Sequence, residues 1–563
     1  MLRSIIRAAG AVAVFCLIAA AGAPQASAAK PGCEYAPIDL KKYGAKPFAA
    51  PAQVVASRDG VLEMDLRVGY GHYTIAGCAV RLRTYNGALT GPTLRVKPGD
   101  VLRIRLINDL PPNKPHSGHN PNIPHGFNTT NLHTHGLWVS PLGNGDNVTL
   151  KIEPGTSFAY EIAIPEDHAP GTFWYHAHVH GSTALQVSSG MAGMIVIEGG
   201  LDDAPSIAPA ADQLMVFQQI GYDENGEIEN YDGFGPGKWG KSHRMTTING
   251  QIVPEITLTG GEVQRWRMVH AGVRETISPT LRRFRDGDDA DPQSNPLGAM
   301  LRALSPEALN ALPRAVPLHE IAADGLAFGR VDTWDVVQLQ PGYRSDVMVK
   351  VPENRSLRPE IYLLTDEALF SDAALLKEAE EERLLAVVKV LPGDADMALP
   401  TSAEVAPYLA HPWIEDDEID PAGAQSVVFN LDNRVCDETG QCAPTTCDPA
   451  SDPNCAFRFM ISDRTYSNFY SRSLKLGTAA EWTLSSKLAN HPYHIHVNPF
   501  EVTRIAPDGR EAKIWKDTLF IRQGEPPVTV RTRYERFIGT FVIHCHILDH
   551  EDQGMMELVT ILP

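Results

Sequence analysis

The sequence predicts an all-β protein built from copies of one unit, and three observations support this prediction. The 563-residue chain contains 46 Gly and 43 Pro, which favour many short strands joined by turns over long helices. A turn followed by alternating apolar and polar residues, typical of a strand in a half-buried sheet, occurs after residue 97 and recurs after residues 260 and 477. The pattern Gly-Thr-Phe-x-x-His-x-His occurs at Gly171 and again at Gly539. Such repetition predicts three copies of one β unit.

Overall composition restricts the class of protein. Apolar residues make up 43% and charged residues 21% of the chain, as in soluble globular proteins, and the length suggests about three or four domains. The formal net charge is −19 at pH 7. Because nucleic-acid binding requires a basic surface, this charge argues against a nucleic-acid partner.

Residues 1–28 have the features of a secretory signal peptide. Arg3 and Arg7 give a positively charged start, residues 8–21 form an apolar run, and residues 26–28 supply the small residues of a cleavage site. Later in the chain we find no stretch of the roughly 18 consecutive apolar residues that a membrane-spanning helix requires. We therefore expect an exported protein, periplasmic or secreted, without a membrane anchor.

The cysteines fit an exported protein. Cys16 lies in the predicted signal peptide and Cys545 lies between two histidines, which leaves Cys33, Cys78, Cys436, Cys442, Cys447 and Cys455. An even number of cysteines outside the cytosol predicts disulfides, and six allow three, whose pairing the sequence does not determine. Four of the six crowd into 436–455, which predicts a disulfide-stapled surface loop. A zinc site is the alternative there, although no histidine lies nearby.

Changes in composition predict the domain boundaries. Acidic or small-residue segments that contain Pro, at 199–211 and 413–424, divide the chain after the signal peptide. They predict a first domain at 45–200, a second at 210–395 and a third at 420–563.

Two interruptions of the strand pattern fall within the predicted second domain. Residues 305–312 have a Ser at the start and Pro306 in the first turn, which are helix start signals. Residues 366–385 have helical periodicity and high helix propensity. We expect both segments to be short helical insertions.

Ten of the 20 histidines fall into four short clusters, each containing a His-x-His pair. Alternate residues of a strand point to the same side of a sheet, so each pair presents two imidazoles to one side. One pair alone carries little weight, but four pairs placed toward opposite ends of the chain predict a shared metal centre. The pairs are His133 and His135, His176 and His178, His494 and His496, and His544 and His546.

Cys545 predicts a second metal site. It lies between the two histidines of the last pair and therefore points to the opposite face of the same strand. His550 and Met555 follow at short spacing, and His491 stands just before the third pair. Two His, one Cys and a weak axial Met are the ligands of a blue-copper electron-transfer site. Zinc also accepts imidazole and thiolate but gives no reason for the Met.

These motifs resemble those of three-domain multicopper oxidases of the laccase type, and the resemblance covers essentially the whole chain after the signal peptide. The motifs are His133-Thr-His-Gly, Trp174-Tyr-His-Ala-His, His491-Pro-Tyr-His-Ile-His and His544-Cys-His-Ile-Leu-Asp-His-Glu-Asp-Gln-Gly-Met-Met. The resemblance implies an all-β fold of three cupredoxin-like Greek-key β-sandwich domains with short helical insertions. It also implies a trinuclear copper site between the first and third domains, and a second domain that binds no copper.

The same resemblance implies four copper ions and their ligands. The type 1 copper would be held by His491, Cys545, His550 and an axial Met555. The type 2 copper would be held by His133 and His494. The type 3 pair would be held by His135, His176, His178, His496, His544 and His546.

Roles in electron and proton transfer follow from the resemblance as well. Cys545 would pass electrons from the type 1 copper to the trinuclear site through its neighbours His544 and His546. Glu551 matches an acidic position that the family uses as a proton relay. Asp146 is a looser match, because the segment that precedes it is longer than in some relatives. For both carboxylates the alternative is a solvated surface charge.

The implied activity is that of a copper-dependent oxidoreductase with oxygen as acceptor (benzenediol:oxygen oxidoreductase). It would couple one-electron oxidation of a small-molecule donor, a phenol or an aromatic amine, to four-electron reduction of dioxygen to water. A metallo-oxidase acting on Cu(I), Fe(II) or Mn(II) is the alternative. The 13 Met form no dense run, which argues against Cu(I), whereas the acidic segment 366–385 could recruit Fe(II) or Mn(II). Retention of all twelve ligand positions argues against a third possibility, a non-catalytic copper-binding cupredoxin.

Overall fold

Strands dominate the described part of the chain. The computed structural model describes Cys33 and residues 46–115, 120–234, 243–284, 305–448 and 450–563, and the predicted signal peptide lies outside these residues. Within them the strands form six sheets, so the all-β prediction is confirmed. The helices of the same residues are short, and none has the length and apolar character needed to cross a membrane.

The first sheet pair takes its strands from residues 54–197. In chain order they are β1 (Val54–Ala56), β2 (Val61–Ile75), β3 (Cys78–Tyr85), β4 (Thr93–Val96), β5 (Val101–Asn108), β6 (His133–His135), β7 (Ser157–Ala163), β8 (Gly171–His176) and β9 (Ala192–Ile197). One sheet has the order β1-β4-β9-β8-β6 and the other the order β3-β2-β5-β7. Apolar side chains of both sheets, among them Leu94, Leu102 and Phe173, form one core between them.

The middle sheet pair takes its strands from residues 211–391. In chain order they are β10 (Ala211–Tyr222), β11 (His243–Ile248), β12 (Glu255–Thr259), β13 (Val263–His270), β14 (Pro279–Phe284), β15 (Arg314–Val316), β16 (Leu318–Ala323), β17 (Leu326–Trp334), β18 (Arg344–Lys350), β19 (Glu360–Asp366) and β20 (Arg383–Leu391). The sheet orders are β11-β10-β13-β18-β16-β17 and β12-β20-β19-β14-β15. Trp266, Val347 and Leu364 belong to the core that the two sheets share.

The last sheet pair takes its strands from residues 425–562. In chain order they are β21 (Gln425–Arg434), β22 (Ala456–Ile461), β23 (Ser471–Lys475), β24 (Thr478–Ser486), β25 (His491–Ile495), β26 (Phe500–Ile505), β27 (Glu511–Lys516), β28 (Thr518–Ile521), β29 (Val528–Tyr534), β30 (Gly539–Cys545) and β31 (Met556–Leu562). The sheet orders are β22-β21-β24-β29-β26-β27 and β23-β31-β30-β25-β28. Trp482, Ile543 and Val559 belong to the shared core, which also contains Cys545 and Met555.

The repeated turn-and-strand pattern occupies the same place in each sheet pair. Strands β5, β13 and β24 follow the three repeated turns. Each pairs in parallel with an earlier strand, which is β2, β10 or β21, and antiparallel with a later one, which is β7, β18 or β29. The repetition in the sequence is therefore a repetition of topology.

One of the two predicted helical insertions is confirmed. The helices are α1 (Thr183–Ser188), α2 (Pro306–Asn310), α3 (Ser402–Val405) and α4 (Leu548–Asp552), and 3-10 turns lie at Gly200–Asp203, Ala406–Tyr408, Asp416–Glu418 and Pro421–Gly423. Helix α2 falls within the predicted segment 305–312. The Ser305 hydroxyl accepts a hydrogen bond from the backbone N–H of Ala308 at 3.2 Å, and Pro306 occupies the first turn. The local start signals were therefore sufficient here.

The helix predicted at 366–385 is wrong. Strands β19 and β20 occupy its two ends, and the residues between them form turns closed by backbone hydrogen bonds between Leu369 and Glu380. Leu375 is buried in the core of the last sheet pair. The spacing of apolar residues in this segment thus serves a contact with a distant part of the chain, and such tertiary packing overrides helix propensity.

Three disulfides join cysteines of the described residues. They are Cys33–Cys78, Cys436–Cys442 and Cys447–Cys455. The last two close short loops within 436–455, as predicted, and the zinc alternative for this segment is excluded because all four sulfurs are in disulfides. In the described part of the chain Cys545 is the free cysteine, and it is buried.

Candidate metal centre

Adjacent strands carry the paired histidines. Strand β6 runs antiparallel to β8 with His133 opposite His176, and β25 runs antiparallel to β30 with His494 opposite His544. This register places histidines of neighbouring strands side by side in each sheet. All eight paired histidines, which we call the histidine cluster, are buried.

Three ring nitrogens from the first and last sheet pairs converge on one point. Nε2 of His544 lies 3.2 Å from Nε2 of His178 and 3.2 Å from Nε2 of His496. An ion placed between the three nitrogens would receive three lone pairs, which is a typical number of protein ligands at a catalytic metal site.

The other cluster histidines surround the same space. The rings of His133 and His496 are stacked with centroids 3.8 Å apart, and so are the rings of His135 and His494. The His546 ring lies 5.0 Å from that of His135. Each stacked pair joins a histidine of the first sheet pair to one of the last, so the cluster is shared between the two ends of the chain.

Hydrogen bonds orient these rings with one nitrogen facing inward. Nδ1 of His133 lies 2.9 Å from a carboxylate oxygen of Asp146, and Nδ1 of His176 and of His494 each lie 2.9 Å from a backbone carbonyl oxygen. In all three rings Nε2 is buried and has no hydrogen-bond partner among the described residues. A buried, unpaired nitrogen costs free energy, whereas an imidazole whose other N–H is held is the usual form of a metal ligand. The cluster therefore fits transition-metal ions such as copper.

Burial favours the neutral imidazole in seven of the cluster histidines. It lowers the pKa of His176 to about 3, and it lowers the pKa values of His133 and His544 well below 6.5, with a further contribution from neighbouring histidines. The same effects lower the pKa values of His135, His178, His496 and His546. Because a metal ligand must present a lone pair, the neutral form is the one that binding requires.

Cys545 is the centre of a second group. Its Sγ lies 3.4 Å from Nδ1 of His491 and 4.0 Å from Nδ1 of His550. Nε2 of His491 contacts the carbonyl oxygen of Leu488 at 3.0 Å, so that Nδ1 faces the thiol. Met555 is buried in the same core, and its backbone is hydrogen-bonded to Cys545 and to His550, at 3.0 Å each. These four side chains, which we call the Cys545 site, are the types expected of a blue-copper centre.

Asp146 lies against the histidine cluster. One carboxylate oxygen is 2.9 Å from Nδ1 of His133, and the other accepts a hydrogen bond from the backbone N–H of Thr134 at 3.0 Å. Burial raises the pKa of Asp146 to about 7. The carboxylate therefore orients His133, and a solvated surface charge does not describe it.

Glu551 is buried beside another cluster histidine. Its Oε1 lies 3.6 Å from Nδ1 of His178, and its Oε2 has no hydrogen-bond partner among the described residues. Burial and the neighbouring Asp552 carboxylate raise the pKa of Glu551 well above its ordinary value. The carboxyl group of Glu551 therefore lies beside the cluster in surroundings that favour its protonated form.

The structure adds charged residues that the sequence did not single out. Asp517 lies 3.3 Å from Nε2 of His135 and accepts a hydrogen bond from Arg344 at 2.9 Å. Asp549, inside the last motif, forms a buried ion pair with Arg274. Their partners lie 173 and 275 residues away along the chain, so no local pattern predicts either pair.

Family models match both ends of the chain that carry the histidines. Models described as multicopper oxidase match residues 67–201 and 444–563. These two ranges contain all the cluster histidines and the Cys545 site. The chain belongs to the multicopper oxidase family. Members of this family are copper-dependent oxidoreductases that use dioxygen as acceptor, and the donor set described above agrees with copper.

Individual relatives of this multicopper oxidase are distant but match most of its length. It is 22% identical over 491 residues to multicopper oxidase mco of Staphylococcus aureus, covering 84% of this chain and 82% of that protein. It is also 22% identical over 516 residues to a laccase of Bacillus subtilis strain 168, covering 84% and 89%.

A solved structure shows the shared fold. The multicopper oxidase from Campylobacter jejuni, described as a metallo-oxidase, is 20% identical and matches with a TM-score of 0.67. The match covers 93% of this chain and 97% of that one. The predicted fold class, three cupredoxin-like β-sandwiches, is confirmed.

Proposed function

We propose that this multicopper oxidase is laccase-like. It takes single electrons from phenols or aromatic amines at a type 1 copper and reduces dioxygen to two waters at a trinuclear copper site. The Cys545 site holds the type 1 copper. His133 and His494 hold the type 2 copper, and the other six histidines of the cluster hold the type 3 pair, which makes four copper ions in all.

The proposal includes the domain plan and the location. Residues 45–200, 210–395 and 420–563 are the three domains, and each sheet pair lies within one of these ranges, at 54–197, 211–391 and 425–562. The signal features of residues 1–28 support export to the periplasm or the medium.

A cavity near the Cys545 site supports an organic donor. It has a volume of about 500 Å³ and lies between the loop closed by Cys436–Cys442 and the side chains of Asn122, Tyr466 and Phe469. The backbone N–H of Tyr466 donates to the carbonyl oxygen of Gly554 at 2.9 Å, and Gly554 directly precedes Met555. The cavity wall is thus joined to the loop that carries the type 1 ligands. Its size and its aromatic and polar lining suit a methoxyphenol.

Aromatic rings lead from the surface toward the same site. Phe457 is 47% exposed, and its ring meets that of Phe459 edge-on with centroids 5.5 Å apart. The Phe459 ring lies 4.5 Å from that of His550. An aromatic donor that reaches Phe457 is therefore two ring contacts away from a proposed type 1 ligand.

The protein's own residues connect donor oxidation to dioxygen reduction. When bound, copper supplies one-electron chemistry at the Cys545 site and reduction of dioxygen at the histidine cluster. Cys545 is covalently joined to His544 and His546, so only a few bonds separate the two sites. Reduction of dioxygen to water consumes protons, and Glu551 places a carboxyl group beside His178 that can relay them. The Thr183 hydroxyl contacts the same carboxyl group at 3.4 Å and helps to fix it.

A metallo-oxidase is the second candidate, because the Campylobacter jejuni protein is described as one. Residues 366–385, which we call the acidic turn segment, contain two carboxylates that are engaged within the protein. Glu382 accepts hydrogen bonds from Arg282 at 2.8 Å and from the backbone N–H of Ala368 at 3.0 Å. Burial and neighbouring carboxylates raise the pKa of Glu380 to about 9, so this group holds a proton. Neither of these two groups therefore presents a free carboxylate to a cation.

Oxygen uptake by the copper-loaded protein tests the proposal. A methoxyphenol is compared with Cu(I), Fe(II) and Mn(II) under matched conditions. We expect the fastest uptake with the phenol. Faster uptake with a metal ion would replace the laccase-like proposal by the metallo-oxidase. Uptake with none of the donors would overturn both and leave a copper-binding protein.

Replacement of one exposed phenylalanine tests the cavity. Phe469 lines it and is 79% exposed, whereas Phe370 lies on the acidic turn segment and is 83% exposed. We expect Phe469→Ala to raise the KM for the phenol about fivefold, which corresponds to about 1 kcal/mol of lost contact. The matched variant Phe370→Ala should leave the KM unchanged. A raised KM for Phe370→Ala with an unchanged KM for Phe469→Ala would instead place the donor site at the acidic turn segment.

A further inference from the structure

The middle sheet pair reaches the histidine cluster through a short loop. A Cβ atom at Gly342 would lie 2.9 Å from a ring carbon of His546, so the backbone of this loop packs directly against that ring. The Tyr343 hydroxyl accepts a hydrogen bond from the backbone N–H of Phe520 at 2.7 Å. Arg344, the first residue of β18, is fully buried and faces Asp517 of the last sheet pair. The loop thus contacts the cluster although the cluster histidines belong to the other two sheet pairs.

Asp517 links this loop to two cluster histidines at once. Its Oδ1 accepts a hydrogen bond from Arg344 at 2.9 Å and lies 3.3 Å from Nε2 of His135 and 3.5 Å from Nδ1 of His494. The Thr518 hydroxyl donates to the same oxygen at 2.7 Å and lies 3.1 Å from Nδ1 of His494. One buried carboxylate therefore lies behind the rings of His135 and His494, which stack on each other across the two sheet pairs.

These contacts select which nitrogen of His135 faces the cluster. In His133, His176 and His494 the protein holds Nδ1, and Nε2 is left without a partner among the described residues. In His135 the arrangement is reversed, because Asp517 holds Nε2 and Nδ1 is the buried nitrogen without a partner in that part of the chain. The Asp517 carboxylate, which gives His135 this reversed ring orientation, is itself oriented by Arg344.

The glycine of the His-Thr-His-Gly motif makes room for this pair. A Cβ atom at Gly136 would lie 2.2 Å from an Arg344 guanidinium nitrogen and 2.6 Å from Oδ2 of Asp517. Gly136 also has φ = 88°, a conformation that other residues rarely adopt. The ion pair therefore occupies the space directly behind the histidine that it orients.

We propose that Arg344 and Asp517 are a positioning pair, by which the middle sheet pair sets the ring orientation of His135 and His494 for metal binding. This inference rests on the proposed function, since it takes both histidines as copper ligands. It gives the middle sheet pair a part in building a copper site to which it supplies no ligand from its described residues.

The test is an Asp517→Asn variant of the full, copper-loaded chain. An amide has one acceptor oxygen and presents N–H donors to the guanidinium, so it cannot hold Arg344, Thr518 and His135 together. We expect the type 2 copper EPR signal to change its hyperfine pattern or to disappear, and copper content to fall. Oxygen uptake should fall about 10- to 100-fold, as is typical when the partner of a metal ligand is removed. The blue absorption of the Cys545 site should remain.

A matched control separates positioning from the loss of a buried ion pair. Glu382→Gln makes the same carboxylate-to-amide change in a buried pair with Arg282, inside the middle sheet pair. We expect it to leave copper content and the EPR signal as in the parent protein. Equal loss of copper in both variants would show that the Asp517 effect is general destabilisation and would overturn the proposal.

A milder variant keeps the inference testable where Asp517→Asn does not fold. Thr518→Val preserves the shape of the side chain and removes only the hydroxyl that contacts Asp517 and His494. We expect a smaller change of the same EPR signal. An unchanged signal in Thr518→Val together with an unchanged or unfolded Asp517→Asn would overturn the positioning role. A parent protein that binds no copper at the cluster would instead overturn the proposed function.

Discussion

At the scale of single residues, Cys545 has a position that joins two sites. Its backbone neighbours His544 and His546 belong to the histidine cluster, while its sulfur faces His491 and His550. Burial raises the pKa of the Cys545 thiol well above its ordinary value, so a bound metal ion is what would stabilise the thiolate. One substitution can therefore disable one proposed copper site and leave every histidine in place.

Cys545→Ser is expected to abolish the blue absorption and donor oxidation together. A hydroxyl is a poor ligand for type 1 copper. Without that copper, electrons from the donor do not reach the histidine cluster through residue 545. The type 2 EPR signal should persist, because the cluster histidines are unchanged. Absorption and EPR spectra of the copper-loaded variant check this. Persistence of the blue band would contradict the assignment of Cys545.

Glu551→Gln is expected to slow dioxygen reduction about 100-fold, because the amide cannot take up and release protons as the carboxyl group beside His178 can. The blue absorption should be retained. Activity of the variant should recover in part as the pH falls, since solvent then supplies protons more readily. Steady-state oxygen uptake against pH measures this. Glu557→Gln, a buried carboxylate paired with Arg472, is the matched control, and an equal loss there would argue against a proton-transfer role.

The sequence predicted the histidines of the candidate site and the carboxylate of Asp146 that orients His133, but not Asp517 and Arg344. A spacing of two along a strand is a local signal, and the structure brings all four pairs together. Asp517 meets Arg344 only because two distant strands pack, and no spacing along the chain encodes that contact. The same holds for Arg274 and Asp549. Side chains that act through tertiary packing are therefore found from the fold and not from the motif.

At the scale of secondary-structure elements, the N-terminus of α1 is capped from another helix. Ser182 at its start makes no side-chain cap. Instead the Asp552 carboxylate, at the end of α4, accepts hydrogen bonds from the backbone N–H groups of Gly181, Thr183 and Ala184 at 2.7, 3.0 and 2.8 Å. The Tyr231 hydroxyl also donates to it. This one side chain ties the helix after the second histidine motif to the helix that carries His550 and Glu551.

Asp552→Ala is expected to reduce the free energy of unfolding by about 2–3 kcal/mol, because three buried N–H groups lose their acceptor. Urea unfolding of the copper-free protein measures this change. The exposed Asp508, whose side chain bonds to nearby Arg510, offers a control at which Asp508→Ala should cost little. Equal effects at the two positions would contradict the capping role.

The two predicted insertions show where element prediction succeeds. At 305–312 the cap and the proline are local signals and the helix forms. At 366–385 helical periodicity was present, but Leu375 is buried in another sheet pair and the segment forms turns. Local signals determine an element only where no distant core competes for the same side chains.

At the scale of the whole molecule, buried histidines outside the proposed copper sites make stability depend on pH. His270 accepts a hydrogen bond from the Gly272 N–H at Nδ1, and its Nε2 donates to the carbonyl oxygen of Glu275. His168 likewise accepts from the Trp138 N–H at Nε2. Burial lowers the pKa of each to about 4. Protons therefore bind the unfolded chain first as the pH falls below 6.5.

The copper-free protein should lose stability as the pH falls from about 7.5 to about 5. The contribution of each histidine is fully present above its unfolded pKa and is lost as the pH falls toward its folded pKa, by about 2 kcal/mol each over this window. Urea unfolding across the window measures the slope. His270→Gln should make the slope shallower, whereas His72→Gln, at an exposed position of β2, should not. Identical slopes in all three proteins would contradict the prediction.

The shared histidine cluster also limits when, during synthesis and folding, a metal site can form. His178 comes 366 residues before His544, whose ring it meets. The two halves of the cluster can therefore meet only after residue 544 has been synthesised. Insertion of an ion that both halves hold would then follow the folding of the final strands against the first. Once bound, ions held by histidines of both the first and the last sheet pair would stabilise the contact between these two sheet pairs.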